Sequence, residues 1–123
     1  MEDRKTTSQQ NQVCIGGVTV NGRGIDAQTR CVHYHGPLDI VGIRFKCCGD
    51  WFSCYFCHEE LTDHESVMWQ FSEGKKKAII CGSCGTRLSI DTYLDGKDQC
   101  PHCKAHFNPG CRLHHHLYFE LRP

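Results

Sequence analysis

Of 123 residues, 11 are cysteine and nine are histidine, while lysine plus arginine and aspartate plus glutamate balance at 14 each. The length accommodates one domain or a compact pair of subdomains. An odd cysteine count, the accompanying histidines and an opening, "MEDRKTTSQQNQ", that reads as neither a signal peptide nor an Arg-rich transit peptide argue against a secreted disulfide scaffold and for metal ligation.

Residues 1–22 read as a disordered polar tail, with Asn21-Gly22 a candidate tight turn. From Leu38 to Cys47 the alternation of Val41, Ile43, Phe45 and Cys47 against Gly42, Arg44 and Lys46 predicts a strand. Strict alternation points Cys47 and Cys48 to opposite faces, so a shared ion requires the chain to turn there, and Gly49-Asp50 supplies turn residues. "HEELTDHE" at 58–65 predicts one or two helical turns after Cys57. His58 and His64 stand six residues apart, about 240° around a helix, so a common ion requires the helix to stop near Thr62-Asp63.

"KKAIIC" and "TRLSIDTYL" read as short strands and "DGKD" as a turn. "LHHHLYFEL" at 113–121 alternates and reads as a His-rich strand. No apolar run approaches the roughly 18 residues of a membrane span. The compact basic run Lys75-Lys76-Lys77 reads as a solvated turn, so nucleic acid is not expected as a partner.

"CGSCG" at 81–85 and "CPHC" at 100–103 give C-x2-C-x15-C-x2-C, a spacing that reads as a structural zinc site of Cys81, Cys84, Cys100 and Cys103. Each C-x2-C knuckle turns two thiolates onto one ion, and Gly82 and Gly85 are expected to permit unusual backbone angles in the first. A thioredoxin-like reading of "CPHC" fails, because "DGKD" precedes it and Asn108-Pro109-Gly110 cuts off a following helix.

Cys54-x2-Cys57 is half a site. Cys31 and His33 lie upstream, and Cys47, Cys48, His58 and His64 remain. These eight residues make one set of three cysteines with one histidine and one of two cysteines with two histidines, both common for zinc. The spacing leaves open which residues share which ion. Cys14 has no assigned role. Cys111, His114 and His116 read as structural or solvated, with a further metal ion as the alternative.

Cys31-x-His33-Tyr34, Cys47-Cys48, Cys54-x2-Cys57-His58, His64 and the two C-x2-C pairs together resemble the CHY-type zinc finger over residues 31–106. The resemblance implies three Zn²⁺ ions: one on Cys31, His33, Cys54 and Cys57, one on Cys47, Cys48, His58 and His64, and one on the four later cysteines. "RFKCCGDWFSCYFCHEEL" and "FNPGCRLHHHLYFE" are similar to the helper-of-Tim group of that family. That likeness implies an assembly factor of the mitochondrial intermembrane space, whose partners are the disulfide-relay oxidoreductase or small Tim proteins and which acts by handling zinc. The alternative is a stand-alone interaction module, in the cytoplasm, related to the CHY part of RING ubiquitin ligases. After the CHY part only one four-cysteine set remains, too few ligands for a RING.

The expected fold is a small zinc-supported domain of short β-strands and zinc knuckles with little helix. It divides into a tail (1–22), a CHY part with two zinc sites (23–72) and a zinc-ribbon-like part ending in the His-rich strand (73–123). Four protein ligands per ion leave no open position for a catalytic water, and "HEELT" departs from H-E-x-x-H, so no enzyme is expected.

Overall fold

The computed structural model describes residues 11–96, 98–108 and 117–120. Strands β1 (Gln12–Ile15), β2 (Val18–Asn21), β3 (Val41–Arg44) and β4 (Trp51–Phe52) precede helix α1 (Tyr55–Leu61). A single 3-10 turn (Phe71–Glu73), β5 (Ile79–Cys81), β6 (Arg87–Leu88) and helix α2 (Ile90–Asp95) follow. The expected class holds: short strands, little helix and clustered cysteines and histidines.

The strands form one six-stranded sheet in the order β1-β2-β4-β3-β5-β6. β5 lies between β3 and β6, with Val41 opposite Cys81 and Ile79 opposite Leu88, and all three of its residues are buried. The sheet therefore draws strands from both sides of residues 72 and 73, which themselves lie in the 3-10 turn.

Alternation along β5 feeds two cores. Ile80 joins Val18, Val20 and Ile25 on one side. Ile79 and Cys81 join the larger cluster with Ile43, Phe45, Phe52, Trp69, Leu88, Phe107 and Phe119 on the other. Residues 12–21 are thus not tail. β1 and β2 form a hairpin through Gly16-Gly17, and β2 pairs in parallel with β4, which buries Val18 and Val20. The eight strand residues read as polar because their apolar face is completed only in the fold, by Ile25, by Trp51 of β4 and by Ile80 of β5.

The segment read as a strand at 86–94 also differs. Only Arg87 and Leu88 pair. Ser89 then caps α2, its hydroxyl accepting from the Thr92 amide at 3.1 Å, a local bond that competes with strand continuation. The strand predicted from Leu38 is shorter, because Asp39 closes a turn on Gly36 before Val41. At the far end, Phe119 bridges Trp69 in parallel, and Phe119 is 1% exposed. The Trp69 indole donates to the Arg44 carbonyl at 2.8 Å, tying this layer to β3. His114 to His116, and with them most of the predicted C-terminal strand, lie outside the described residues.

Candidate metal centres

Three groups of four ligand atoms converge in the described residues: Cys31, His33, Cys54 and Cys57; Cys47, Cys48, His58 and His64; and Cys81, Cys84, Cys100 and Cys103. Within each group all ligand atoms lie within 4.8 Å of one another. All twelve residues singled out from the sequence fall in these groups.

Their spacing can be compared with what zinc requires. Four sulfurs about 2.3 Å from a tetrahedral centre stand about 3.8 Å apart, and a sulfur and a histidine nitrogen about 3.6 Å apart. Cys81–Cys103 and Cys84–Cys100 are each 3.8 Å, and Cys31–Cys54 is 3.7 Å. His33 Nδ1 stands 3.7, 3.4 and 3.4 Å from the sulfurs of Cys31, Cys54 and Cys57. The donor sets and their spacing fit Zn²⁺.

The first group joins the loop before β3 to the start of α1. Asp26 folds that loop by accepting from the Gln28 and Arg30 amides, and Cys31 donates its amide to the Tyr34 carbonyl, which brings His33 round. Cys54 is the N-cap of α1, and its sulfur accepts from the Cys57 amide at 3.3 Å. The Cys57 sulfur accepts from the Ser53 hydroxyl at 3.2 Å and the Arg23 amide at 3.3 Å. His33 Nε2, the nitrogen facing away from the sulfurs, meets the Glu60 carboxylate at 3.2 Å, and Glu60 is held by Arg23 at 2.7 Å. Hydrogen bonds from Arg23 and then His33 keep the Glu60 carboxyl below its ordinary value. A carboxylate behind a ligating imidazole sets its tautomer and strengthens it as a donor.

Crowding sets the thiol chemistry. Hydrogen bonds from Cys54 and Cys57 drive the Cys31 thiol far down, while the bonds to Cys31 and Cys57, with burial, push Cys54 far up. One thiolate is thus stabilised by its neighbours and a second is disfavoured, an arrangement that a bound dication would change by favouring the ionised form of all three.

The second group sits at the turn between β3 and β4 and at the end of α1. The chain turns from Lys46 onward: Gly49, at φ +74°, donates its amide to Phe45, and Phe45 donates to Asp50. This turn interrupts the alternation and places Cys47 and Cys48 sulfurs 3.9 Å apart on one side. α1 ends where Thr62 returns its amide and hydroxyl to the His58 carbonyl. The chain reverses there, and His64 Nε2 comes within 3.1 Å of His58 Nε2. The expected helix stop is therefore present. His58 Nε2 stands 3.2 Å from Cys47 and 4.0 Å from Cys48. The imidazole is fully buried, stacked on Phe45 at 4.2 Å and edge-on to Phe52 at 5.0 Å. Burial, then the nearby His64, lowers its pKa and favours the neutral, ligating form.

The third group joins two knuckles of one design. Gly85 donates to the Cys81 carbonyl at 2.8 Å and Lys104 to the Cys100 carbonyl at 2.9 Å. Gly85 has φ +77° and Lys104 φ +69°, the left-handed position that closes each knuckle. Gly82 serves differently from expectation. Its φ is ordinary, and it is glycine because a β-carbon there would meet the Gln28 and Ile40 carbonyl oxygens. The Cys100 sulfur accepts from the His102 and Cys103 amides. Burial opposes ionisation of Cys84, but bonds from the Thr86 hydroxyl and backbone, with His102 and Cys103, bring its thiol down to about 6. Burial pushes Cys81 up.

Sequence reading missed the supporting residues Arg23, Ser53, Glu60 and Thr86, which carry no spacing signal because each reaches its partner through the fold. Cys14 is exposed on β1 and joins no group among the described residues. Cys111, His114 and His116 lie outside them.

Comparison with known proteins gives the same outline. The chain is 42% identical over 100 residues to Helper of Tim protein 13 of Kluyveromyces lactis, covering 81% of this chain and 87% of the relative. It is 42% identical over 107 residues to Helper of Tim protein 13 of Saccharomyces cerevisiae, covering 85% and 92%. A Schizosaccharomyces pombe protein is 33% identical over 90% of this chain and 97% of its own length. No solved structure matches. The model of the CHY zinc finger spans residues 31–109 and so takes in every member of the three groups. The chain belongs to the CHY zinc finger family.

Proposed function

We propose that this chain is a zinc-handling assembly factor that supports disulfide-relay-dependent assembly of small Tim chaperones in the mitochondrial intermembrane space. The observation that carries the reading is the pair of alignments at 42% identity, which extend over 87% and 92% of two yeast proteins named Helper of Tim protein 13. In this reading the twelve clustered residues hold three zinc ions in the three groups. Bound zinc supplies cross-links between segments that the small core alone joins weakly. The reading includes no enzymatic step, which is supported by the four ligands that each group offers, leaving no coordination position for substrate. Its partner is a cysteine-rich protein, either the relay oxidoreductase or a small Tim protein, whose thiols must be free of zinc before they can be oxidised. Soft thiolate sites suit that exchange.

Two measurements test the reading together. Fractionation with protease protection is expected to find a membrane-shielded mitochondrial pool. The purified protein is expected to speed reoxidation of a zinc-poisoned, cysteine-rich oxidoreductase. A purely cytosolic pool with no effect on reoxidation overturns the proposal. That result favours a plain interaction module, a second reading supported by the exposed apolar side chains Val32, Phe56, Val67, Met68 and Phe71.

A further inference from the structure

The three groups are not equivalent, and the difference deepens the zinc-handling reading, on which this inference rests. We propose that Cys47, Cys48, His58 and His64 form the site where zinc enters and leaves the folded protein as cargo, while the other two groups retain resident ions.

Exposure is the first reason. Cys48 and His64 are exposed, whereas Cys31, Cys54 and Cys57 of the first group and Cys81 and Cys100 of the third are buried. An incoming thiolate can therefore reach an ion in the second group without parting the core. His64 also lies beyond the end of α1, in a stretch without regular structure up to Trp69, so its release breaks no helix or sheet pairing.

The second reason lies behind the ligands. His33 has the Glu60 carboxylate on its outer nitrogen, and Glu60 is clamped by Arg23. His58 has the opposite setting. Its Nδ1 is buried with no hydrogen-bond partner among the described residues, and its ring faces are covered by Phe45 and Phe52. An imidazole without an outer acceptor is a poorer donor, and loss of such an acceptor weakens metal binding about 10–100-fold.

Charge and shape point the same way. Two thiolates neutralise one Zn²⁺, whereas three or four leave excess negative charge holding the ion. The His58 Nε2–sulfur separations in the second group also differ, at 3.2 Å to Cys47 and 4.0 Å to Cys48, while those of His33 Nδ1 in the first stay between 3.4 and 3.7 Å. Yet His58 is fixed by packing, so the group keeps one rigid ligand on which an ion can land. The ion moves as Zn²⁺ throughout. Cys47 and Cys48 release their thiol protons to solvent when it binds and take them back when it leaves, with no change of oxidation state.

Cadmium NMR on the full-length wild-type protein separates four-sulfur, three-sulfur and two-sulfur donor sets without mutation. On sub-stoichiometric chelator, the two-sulfur resonance is expected to vanish first, at least about tenfold faster than the others. Earlier loss of either other resonance, or simultaneous loss of all three, overturns the proposal. In zinc-loaded protein, transfer to a chromogenic indicator should show one fast equivalent. Cys48→Ser and His64→Ala, made separately, should each abolish it while two slow equivalents and the circular dichroism remain. A fast equivalent that persists in both also overturns the assignment. The zinc-handling reading fails separately: if the wild type exchanges zinc at this group with the indicator but takes none from a zinc-loaded, thiol-rich protein, the exchange site stands and the function does not.

Discussion

Helix α1 supplies both of the first two groups, and it treats them unequally. Cys54 and Cys57 lie at its N-terminal turn, buried, with their sulfurs accepting from the helix's own amide and from Ser53 and Arg23. His58, one residue on and about 100° around the helix, leaves that cluster and faces the β3–β4 turn. Adjacent residues thereby serve different groups. The first is embedded in hydrogen bonds, while in the second His58 is held chiefly by stacking on Phe45 and an edge-on contact with Phe52. Specificity of fold and ease of exchange can thus be set separately on two faces of a seven-residue helix.

The contrast is sharpest against the third group, where Cys81 ends the fully buried strand β5, which lies between β3 and β6. Removing a ligand there takes away both the ion and the anchor of the sheet. Apparent binding energies of structural zinc are about 10–16 kcal/mol, larger than the stability of most small domains. Cys81→Ser is therefore expected to lose one equivalent of zinc and to unfold the domain, as seen by circular dichroism and elemental analysis. His64→Ala should also lose one equivalent yet retain the native spectrum. If both variants unfold alike, the second group is structural and the contrast is void.

The twelve clustered residues were legible in the sequence because cysteine and histidine packed this densely at knuckle spacing have few uses other than metal ligation. The partition of eight of them was not legible from spacing; only the family resemblance implied it, and the groups divide as it implied. Cys57 and His58 are neighbours in sequence, and only the pitch of α1 and the turn at Lys46 to Asp50 send them apart. The same turn brings Cys48 into the second group against the alternation of β3. The hairpin at 12–21 was hidden because its partner is a two-residue strand, Trp51 and Phe52, far along the chain from Val20 and Asn21. In 86–94, a single serine hydroxyl at Ser89 outweighed the alternating pattern.

A middle-sized effect separates packing from ligation. Phe45 is 3% exposed and stacks on His58 without itself carrying a ligand atom. Phe45→Ala is expected to cost about 3–5 kcal/mol in a denaturant titration. Zinc should leave the second group faster, and the first group should keep its rate. Equal acceleration at both would mean that α1 moves as a unit and that its two faces are not independent. Glu60→Gln asks the converse. Glutamine keeps the shape but removes the charge behind His33, so zinc affinity of the first group should fall about 10–100-fold while the second is unaffected. An unchanged affinity would leave the Glu60 pairing with no part in ligation.

The smallest effect compares the two knuckles of the third group. Both close on a left-handed residue four positions after their first cysteine, Gly85 in one and Lys104 in the other. The hydrogen bonds are matched, with Cys81 and Cys100 donating to the carbonyls of Thr86 and Ala105 at 2.9 Å each. A lysine in that conformation crowds its β-carbon against the following carbonyl at a cost of about 1–2 kcal/mol. Glycine removes the crowding but loses about 0.5–1 kcal/mol through the greater freedom of its unfolded chain. Lys104→Gly should therefore stabilise the zinc-loaded protein by up to about 1.5 kcal/mol, read as a raised thermal midpoint with unchanged zinc content. The knuckles are not interchangeable in the other direction. A β-carbon on Gly85 would stand 3.0 Å from the Gly16 backbone, where the β1–β2 turn closes over the knuckle. Gly85→Ala should consequently cost more than the left-handed penalty alone. If Gly85→Ala costs no more than that penalty, the hairpin does not press on the knuckle. If Lys104→Gly lowers the midpoint, the second knuckle is not strained at its closing residue.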